Sequence, residues 1–523
     1  MCDVLSAATK LCGAFAGLAG SVFPSISSEG PWLYGACYTA MPLLMSFAFT
    51  LLLILWRAWG VMRPREMLCC LLYCVSSSFT LLLSDPTLVA IGFEFMALAA
   101  MFLVAQGCSK GVDKAFLHYA AAHFIAGALL LVGACRFAQV GQFFGLYKAS
   151  YMIGLLINAA SFPMSSWVSH AYPMSSRFGI MALSTFTTKA AAYTLLRIFP
   201  GDPMLVYAGS ATAVYGTIFA LLARDVRKMM SYNVIGQMGL ILISVGLGGI
   251  SPGVTVAQMA LSVLYQALLF MVADVVVVNS SKGTNGPGGA TYPLLVGVLC
   301  CLVAVFNMGA FPGSAGFVVK SLILHGAWAD GLIGAISKQV FLVCSVSLFA
   351  GVGLRLVWSS VAQFHASRSV SSGMSGYLSG IPMLLLALVL LILGVFHRQM
   401  LSFTGEQFIY TLKDVASQTA ILAIAALCFI VSLRNKLLGR YEFAVDVDWV
   451  YRCLLPSMTS KFCNFVIHLY GVFSNFSRVC SSGSGGEGGC AWAIALRHKA
   501  EASDSALLLC MLVVGIVLVL TYV

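Results

Sequence analysis

Charge is what this sequence has least of. Only 9% of its 523 residues are charged, against about 25% in an ordinary soluble domain, so most of the chain has no means of facing water. No CxxC pair with metal or haem spacing, no nucleotide-binding glycine loop and no iron–sulfur ligand set occurs, so no cofactor is implied. The 17 cysteines sit mostly inside apolar runs, as in the neighbours Cys69, Cys70 and Cys300, Cys301. They read as small apolar filler, not as redox or metal groups. A cleavable leader is not expected either: Asp3 to Phe23 is apolar without a basic start, and reads as a first membrane span.

Hydrophobic residues make up 60% of the chain. A helical span needs about 20 mostly apolar residues, and about 14 to 16 such stretches are legible. Their length excludes a β-barrel, whose strands are about 10 residues of alternating polarity. The expected fold is all-α, a polytopic bundle of about 14 to 16 transmembrane helices in a lipid bilayer.

The formal net charge of +11 does not point to nucleic acid, because the basic residues are scattered over short loops without interleaved aromatics. Arg57, Arg63 and Arg65 fall in one loop, Lys110 and Lys114 in another, Arg224, Arg227 and Lys228 in a third. Counting spans puts all three on one face, which the positive-inside rule makes cytoplasmic. A cell membrane is the expected location, with the bacterial inner membrane as the home.

The segmentation expected is N-terminal transmembrane helices over 1–85, a core over 86–358, C-terminal transmembrane helices over 359–433, an amphipathic and linker region over 434–503, and a last transmembrane helix over 504–523. Charged and polar residues return in the fourth segment, where SSGSGGEGG (Ser481 to Gly489) has linker composition.

Against this apolar background three ionisable residues stand inside spans. Lys189 lies at the centre of FGIMALSTFTTKAAAYTLLRIF (Phe178 to Phe199), Glu94 in PTLVAIGFEFMALAAMFLVAQG and Lys320 in FPGSAGFVVKSLILHGAW. Each costs about 2.5 to 3.5 kcal/mol to insert, and such residues usually face a bundle interior and mark an ion pathway. Two spans are also broken: Pro163 interrupts Tyr151 to Tyr172, and Pro312, with Gly313 and Gly316, interrupts Tyr292 to Trp328. Discontinuous helices in both halves of a polytopic chain are a pointer to a transport site.

The segments INAASFPMSSWVSHAYP, LSTFTTKAAAYTLLRIF and ARDVRKMMSYNVIGQMGLILISVGLG, followed by LYQALLFMVAD and NMGAFPGSAGFVVKSLIL, resemble the antiporter-like subunits shared by Mrp-type sodium/proton antiporters and respiratory complex I (NADH:quinone oxidoreductase). The resemblance implies two inverted five-helix repeats, each with a broken helix and a half-channel, joined by a row of lysines, histidines and carboxylates. It implies that Glu94 is the carboxylate opening the row, Lys189 the connecting lysine and Lys320 the terminal residue. Burial and a neighbouring carboxylate act oppositely on an amine's protonation, so a change of pairing can drive a proton on or off.

The departures are specific. Asn158 stands where the resemblance implies a lysine paired with the carboxylate. Gln258, Ser262 and Gln266 stand at a later stripe of histidine, histidine and lysine, so one helix side is polar but not titratable near neutral pH. Asp274 is an extra acid in place of glycine. The proton-pathway set expected from the resemblance is therefore Glu94, Asn158, Lys189, Gln258, Ser262, Gln266, Asp274 and Lys320.

Other polar residues carry weaker expectations. His118, His123 and His325 read as hydrogen-bonded packing residues, Arg197 and Arg355 as snorkelling, and Asp225, Arg227 and Lys228 as a loop motif. AVDVDWVYR (Ala444 to Arg452) resembles a sequence found in D-type Mrp proteins and favours that branch.

The function implied is that of a proton-translocating, D-type member of an Mrp cation/proton antiporter, an ion transporter and not an enzyme. Its partners would be other membrane subunits, and its substrates protons and Na+ or K+. The alternatives are a proton-pumping subunit of complex I and a degenerate, non-conducting structural paralogue.

Overall fold

The computed structural model describes residues 30–434, except 108–110, 282–293, 327, 329–331, 367–373, 402–403, 405 and 407. The expected first span at Asp3 to Phe23, the amphipathic and linker region, the AVDVDWVYR element and the last span all fall outside the described residues. The chain divides into two units, and the described residues belong to the first, Met1–Glu442.

Among the described residues the regular structure is helical. The first five helices are α1 (Gly30–Ala58), α2 (Pro64–Leu82), α3 (Pro86–Ala105), α4 (Val112–Val140) and α5 (Gly145–Asn158). There follow α6 (Ser166–Met174), α7 (Gly179–Leu183), α8 (Thr187–Ile198), α9 (Pro203–Leu222), α10 (Val226–Gly246) and α11 (Pro252–Ser281). Next come α12 (Leu294–Met308), α13 (Ala315–His325) and α14 (Leu332–Leu348), which runs through a π-helical turn (Phe349–Leu354) into α15 (Arg355–Ala366). The last are α16 (Met374–Val395), α17 (His397–Leu401) and α18 (Leu412–Arg434).

Nine helices among the described residues are long and apolar enough to cross a membrane. Shorter apolar segments come from α12, α13 and α16 (Leu295–Met308, Ala315–His325 and Gly380–Val395). Several starts share one device, an aspartate N-cap. Asp85 accepts from Thr87 N at 2.8 Å and Asp202 from Met204 N at 3.0 Å, each followed by proline at the first helical position. A carboxylate there satisfies an otherwise orphaned N–H, and proline loses nothing at a site that needs no donor.

The centre of the bundle is α10 and α11, whose apolar windows are 100% and 94% buried by protein, whereas that of α18 is 22% buried. α10 packs closely on α9, where a Cβ added to Gly216 would lie 2.3 Å from Gly236 N. Close approach of this kind is how helices gain dispersion contact where lipid offers no hydrophobic drive. Outward positions are apolar instead: Leu52, Phe95, Phe102, Val343 and Ile424 are exposed. A surface of that kind suits hydrocarbon, not water.

Both proline-marked spans are broken as expected, and the two breaks have the same backbone. α5 ends at Asn158 and α12 at Met308, and the second residue after each is an alanine in the left-handed region, Ala160 and Ala310, both at φ 57°. Ser161 N donates to Leu156 O at 2.9 Å and Ala160 N to Ile157 O at 3.0 Å. Phe311 N donates to Phe306 O at 2.8 Å and Ala310 N to Asn307 O at 3.2 Å. These are paired Schellman ends, in which a left-handed residue turns two N–H groups back onto the last carbonyls.

A third break was not legible in the sequence. The stretch Phe178 to Phe199, read as one span, is divided into α7 and α8 around Ser184–Phe186. Ser184 Oγ and Thr185 Oγ1 both donate to Met181 O, at 2.9 and 2.6 Å, taking a carbonyl the helical ladder would use. Tyr73 from α2 then accepts from Thr187 N at 3.2 Å and pairs with Thr187 Oγ1 at 2.5 Å, satisfying the start of α8.

Candidate functional site: polar residues within the bundle

Lys189 is fully buried, in the first turn of α8. The break before it supplies one acceptor, Ser184 O at 2.8 Å, and α11 supplies the other, Gln266 Oε1. Gln266 is itself fully buried, and its Nε2 has no partner among the described residues. The structure thus brings together the expected connecting lysine and one member of the expected polar stripe.

The other stripe members are placed differently. Ser262 spends its hydroxyl on its own helix, donating to Met259 O at 2.6 Å. Gln258 is half-buried, with Oε1 unpartnered among the described residues. Tyr265, next to Gln266, reaches Gln237 Oε1 on α10 at 2.9 Å, and the neighbouring Asn233 is fully buried with no side-chain partner among the described residues. Neither Gln237 nor Asn233 was singled out from sequence, although both lie in the quoted stretch SYNVIGQMG.

Lys320 lies on α13, just after the second break. It is 6% exposed, and its Nζ has no hydrogen-bond partner among the described residues. Ser314 caps α13 by accepting from Phe317 N at 3.3 Å. The break itself is held from α18, where Gln418 Nε2 donates to Gly309 O at 3.0 Å. The corresponding support of the first break comes from Trp167 Nε1, which donates to Ile157 O at 3.0 Å, and from Thr212 Oγ1, which accepts from Phe162 N at 2.9 Å.

In the first half, Glu94 is half-buried on α3 and its carboxylate fills the space above Gly127 on α4, where an added Cβ would lie 1.3 Å from Oε1. Asn158, 1% exposed, donates through Nδ2 to Gly154 O at 3.1 Å, and its Oδ1 is 2.8 Å from His123 Nδ1. The side chain facing Asn158 is therefore a buried histidine.

Asp274 is placed apart from Lys189 and Gln266. It forms a bidentate pair with Arg177, at 2.8 and 2.9 Å, and accepts from Arg57 Nη2 at 3.2 Å. Two helical turns beyond Gln266 on α11 are about 12 Å of rise, which takes it to the end of α1 where Arg57 lies. Arg57, expected in a cytoplasmic loop, is instead 5% exposed in the last turn of α1. The pairing with Asp274 draws it in, because a buried carboxylate needs a counter-charge. Arg355, expected to snorkel, caps α9 by donating to Ala223 O at 2.6 Å.

Among the described residues no group of three or more His, Cys, Asp or Glu side chains is arranged to hold a metal ion. What the arrangement offers chemically is two buried amines, Lys189 and Lys320, each on the helix that follows a break, with a half-buried carboxylate, Glu94, between two continuous helices.

The family model described as NADH:quinone oxidoreductase/Mrp antiporter, TM, matches residues 44–347, more than half of the chain. A putative antiporter subunit mnhD2 of Staphylococcus haemolyticus is 25% identical over 306 residues, covering 51% of this chain and 60% of the relative. NADH-quinone oxidoreductase subunit L of Campylobacter jejuni is 23% identical over 314 residues, covering 57% and 48%. The chain therefore spans about half to three-fifths of these relatives' length. Among solved structures, the Mrp complex from Dietzia sp. DQ12-45-1b superposes with TM-score 0.66 at 17% identity, over 92% of this chain and 55% of that one. The membrane-bound sulfane sulfur reductase, an archaeal respiratory membrane complex, gives 0.59 at 17% identity, over 91% and 88%. At that identity the likeness is one of fold. The chain belongs to the NADH:quinone oxidoreductase/Mrp antiporter family of multi-pass, antiporter-like membrane subunits.

Proposed function

We propose that this chain is a proton-translocating, D-type component of a multisubunit Mrp cation/proton antiporter of a cell membrane. The observation that carries the reading is Lys189, fully buried and held between the freed Ser184 carbonyl and Gln266 of the next half of the bundle. Glu94 couples charge in the first half, Lys189 relays across the centre, and Lys320 delivers to the far side, with Asn158, Gln258, Ser262 and Gln266 lining the way. Asp274, paired with Arg57 and Arg177 apart from Lys189, is left out of the path. The mnhD2 relative and the AVDVDWVYR sequence favour the Mrp branch.

The test is cation/proton exchange in everted vesicles carrying the assembled complex. Lys189→Ala is expected to abolish exchange with Na+ or K+ while the protein stays inserted at normal level. Unchanged exchange removes the reading and leaves a structural, non-conducting component. A second reading, a proton-pumping part of a complex I type assembly, is favoured by the similarity to the Campylobacter jejuni oxidoreductase protein. Genes for quinone-site and iron–sulfur proteins beside this one select it; genes for small Mrp proteins select the first.

A further inference from the structure

Two tyrosines take apart one rung of the helix that carries Lys189. In an unbroken helix Thr187 N would donate to Leu183 O, four residues back. Here Thr187 N donates to Tyr73 Oη at 3.2 Å, and Leu183 O accepts from Tyr172 Oη at 2.6 Å. Donor and acceptor of the same rung are thus satisfied separately, one from α2 and one from α6, the second half of the first broken helix. Tyr73 Oη also pairs with Thr187 Oγ1 at 2.5 Å, and both tyrosines are fully buried. Phe178 to Phe199 contains no proline, so no residue in it forbids a continuous ladder.

The open rung bears on Lys189 through the next carbonyl. Ser184 O, at 2.8 Å, is one of the two acceptors of its amine. In a closed ladder Ser184 O would accept from Thr188 N, and Lys189 would keep Gln266 alone. The elements packed on α8 are α2, α5, α10 and α11; at the break α2 contributes Tyr73 and α11 contributes Gln266. Tyr119 of α4 lies near the Thr187 hydroxyl, and the Tyr73 ring packs edge-on against Phe186 with centroids 5.2 Å apart. Lys189 has no ion pair among the described residues.

We propose that Tyr73 and Tyr172 are positioning residues for Lys189, holding one rung between α7 and α8 open so that the Ser184 carbonyl is kept for the amine. They act through the backbone and carry no proton themselves. Tyr73 fixes the donor side and Tyr172 the acceptor side, and Tyr172 thereby ties the Lys189 break to the first broken helix. The inference rests on the proton-translocating reading above.

The experiment compares Tyr73→Phe, Tyr172→Phe, the double variant and Lys189→Ala in the assembled complex, reading the unfolding midpoint in detergent and exchange against pH in everted vesicles. Each phenylalanine keeps the ring and removes one hydroxyl, which leaves Thr187 N or Leu183 O without its partner. Each single variant is expected to unfold at a lower temperature. In the double, the freed donor and acceptor can bond to each other, and the midpoint is expected to recover most of the loss. Exchange is expected to stay about tenfold or more below wild type in the double, with its pH profile displaced, because a hydrogen bond to the charged amine bears on its protonation. Midpoint losses that add in the double overturn the proposal and make the tyrosines packing residues. A wild-type rate or an undisplaced profile in the double, while Lys189→Ala abolishes exchange, also overturns it and spares the translocating reading. Wild-type exchange in Lys189→Ala sinks the translocating reading, and this inference with it.

Discussion

Lys189 and Lys320 carry the same cost, and among the described residues only Lys189 has hydrogen bonds that offset it. An amine inside a membrane span costs about 2.5 to 3.5 kcal/mol, and a hydrogen bond to a charged group returns about 1.5 to 3 kcal/mol. Lys189 has two acceptors, one released by the break in its own helix and one on α11; Lys320 has none among the described residues. Lys189 is the better-held charge and depends on Gln266 for it. Gln266→Leu is expected to destabilise the protein by about 1.5 to 3 kcal/mol, read as a lower midpoint of thermal unfolding in detergent. The identities of Lys189, Glu94 and Lys320 were legible as charges in apolar runs. The pairing of His123 with Asn158 was not, because residues 35 apart on different helices meet only when α4 and α5 pack.

At the scale of the element, each break is a helix end placed where no water is expected, so its freed groups need partners from elsewhere. Pro163 and Pro312 announced two of the breaks, since proline cannot supply the ladder N–H. The third, before Lys189, has no proline. Its signal was the hydroxyl run Ser184, Thr185, Thr187 and Thr188, which becomes a break only because Tyr73 of α2 receives the start of α8. The supports of the other two breaks, Thr212 and Gln418, are likewise invisible locally. Thr212→Val keeps the shape and removes the hydroxyl that Phe162 N and Ser161 Oγ reach. It is expected to cost about 1 to 3 kcal/mol for the buried N–H left unpaired. Chemical denaturation in micelles, compared with Thr217→Val on the same helix as the control, measures it.

Across the whole molecule, one carboxylate joins three distant segments. Asp274 on α11 holds Arg57 at the end of α1 and Arg177 before α7, and Arg57 also donates to Met271 O at 3.4 Å. The triad carries a net positive charge in a region where Arg57 and Asp274 side chains are 1% and 3% exposed. Removing its acid takes the carboxylate away from the Arg57 guanidinium, whose side chain is 1% exposed, so Asp274→Leu is expected to cost about 3 to 5 kcal/mol. The measured sign is lower yield of folded protein and a lower unfolding midpoint. Replacing all three residues with apolar ones of similar size is expected to recover most of the loss.

The sequence by itself determined that this is a membrane-spanning helical chain, which helices carry charge, and where prolines interrupt them. Those are local properties: hydrocarbon excludes an unpaired backbone and an uncompensated charge whatever the neighbours are. Only the tertiary structure decided that Ser184 ends a helix, that Asp274 belongs to two arginines, and that a histidine faces Asn158. Each of those is a partnership between segments far apart in the chain. A buried polar group takes the partner that packing brings to it, and its own sequence neighbours do not say which that is.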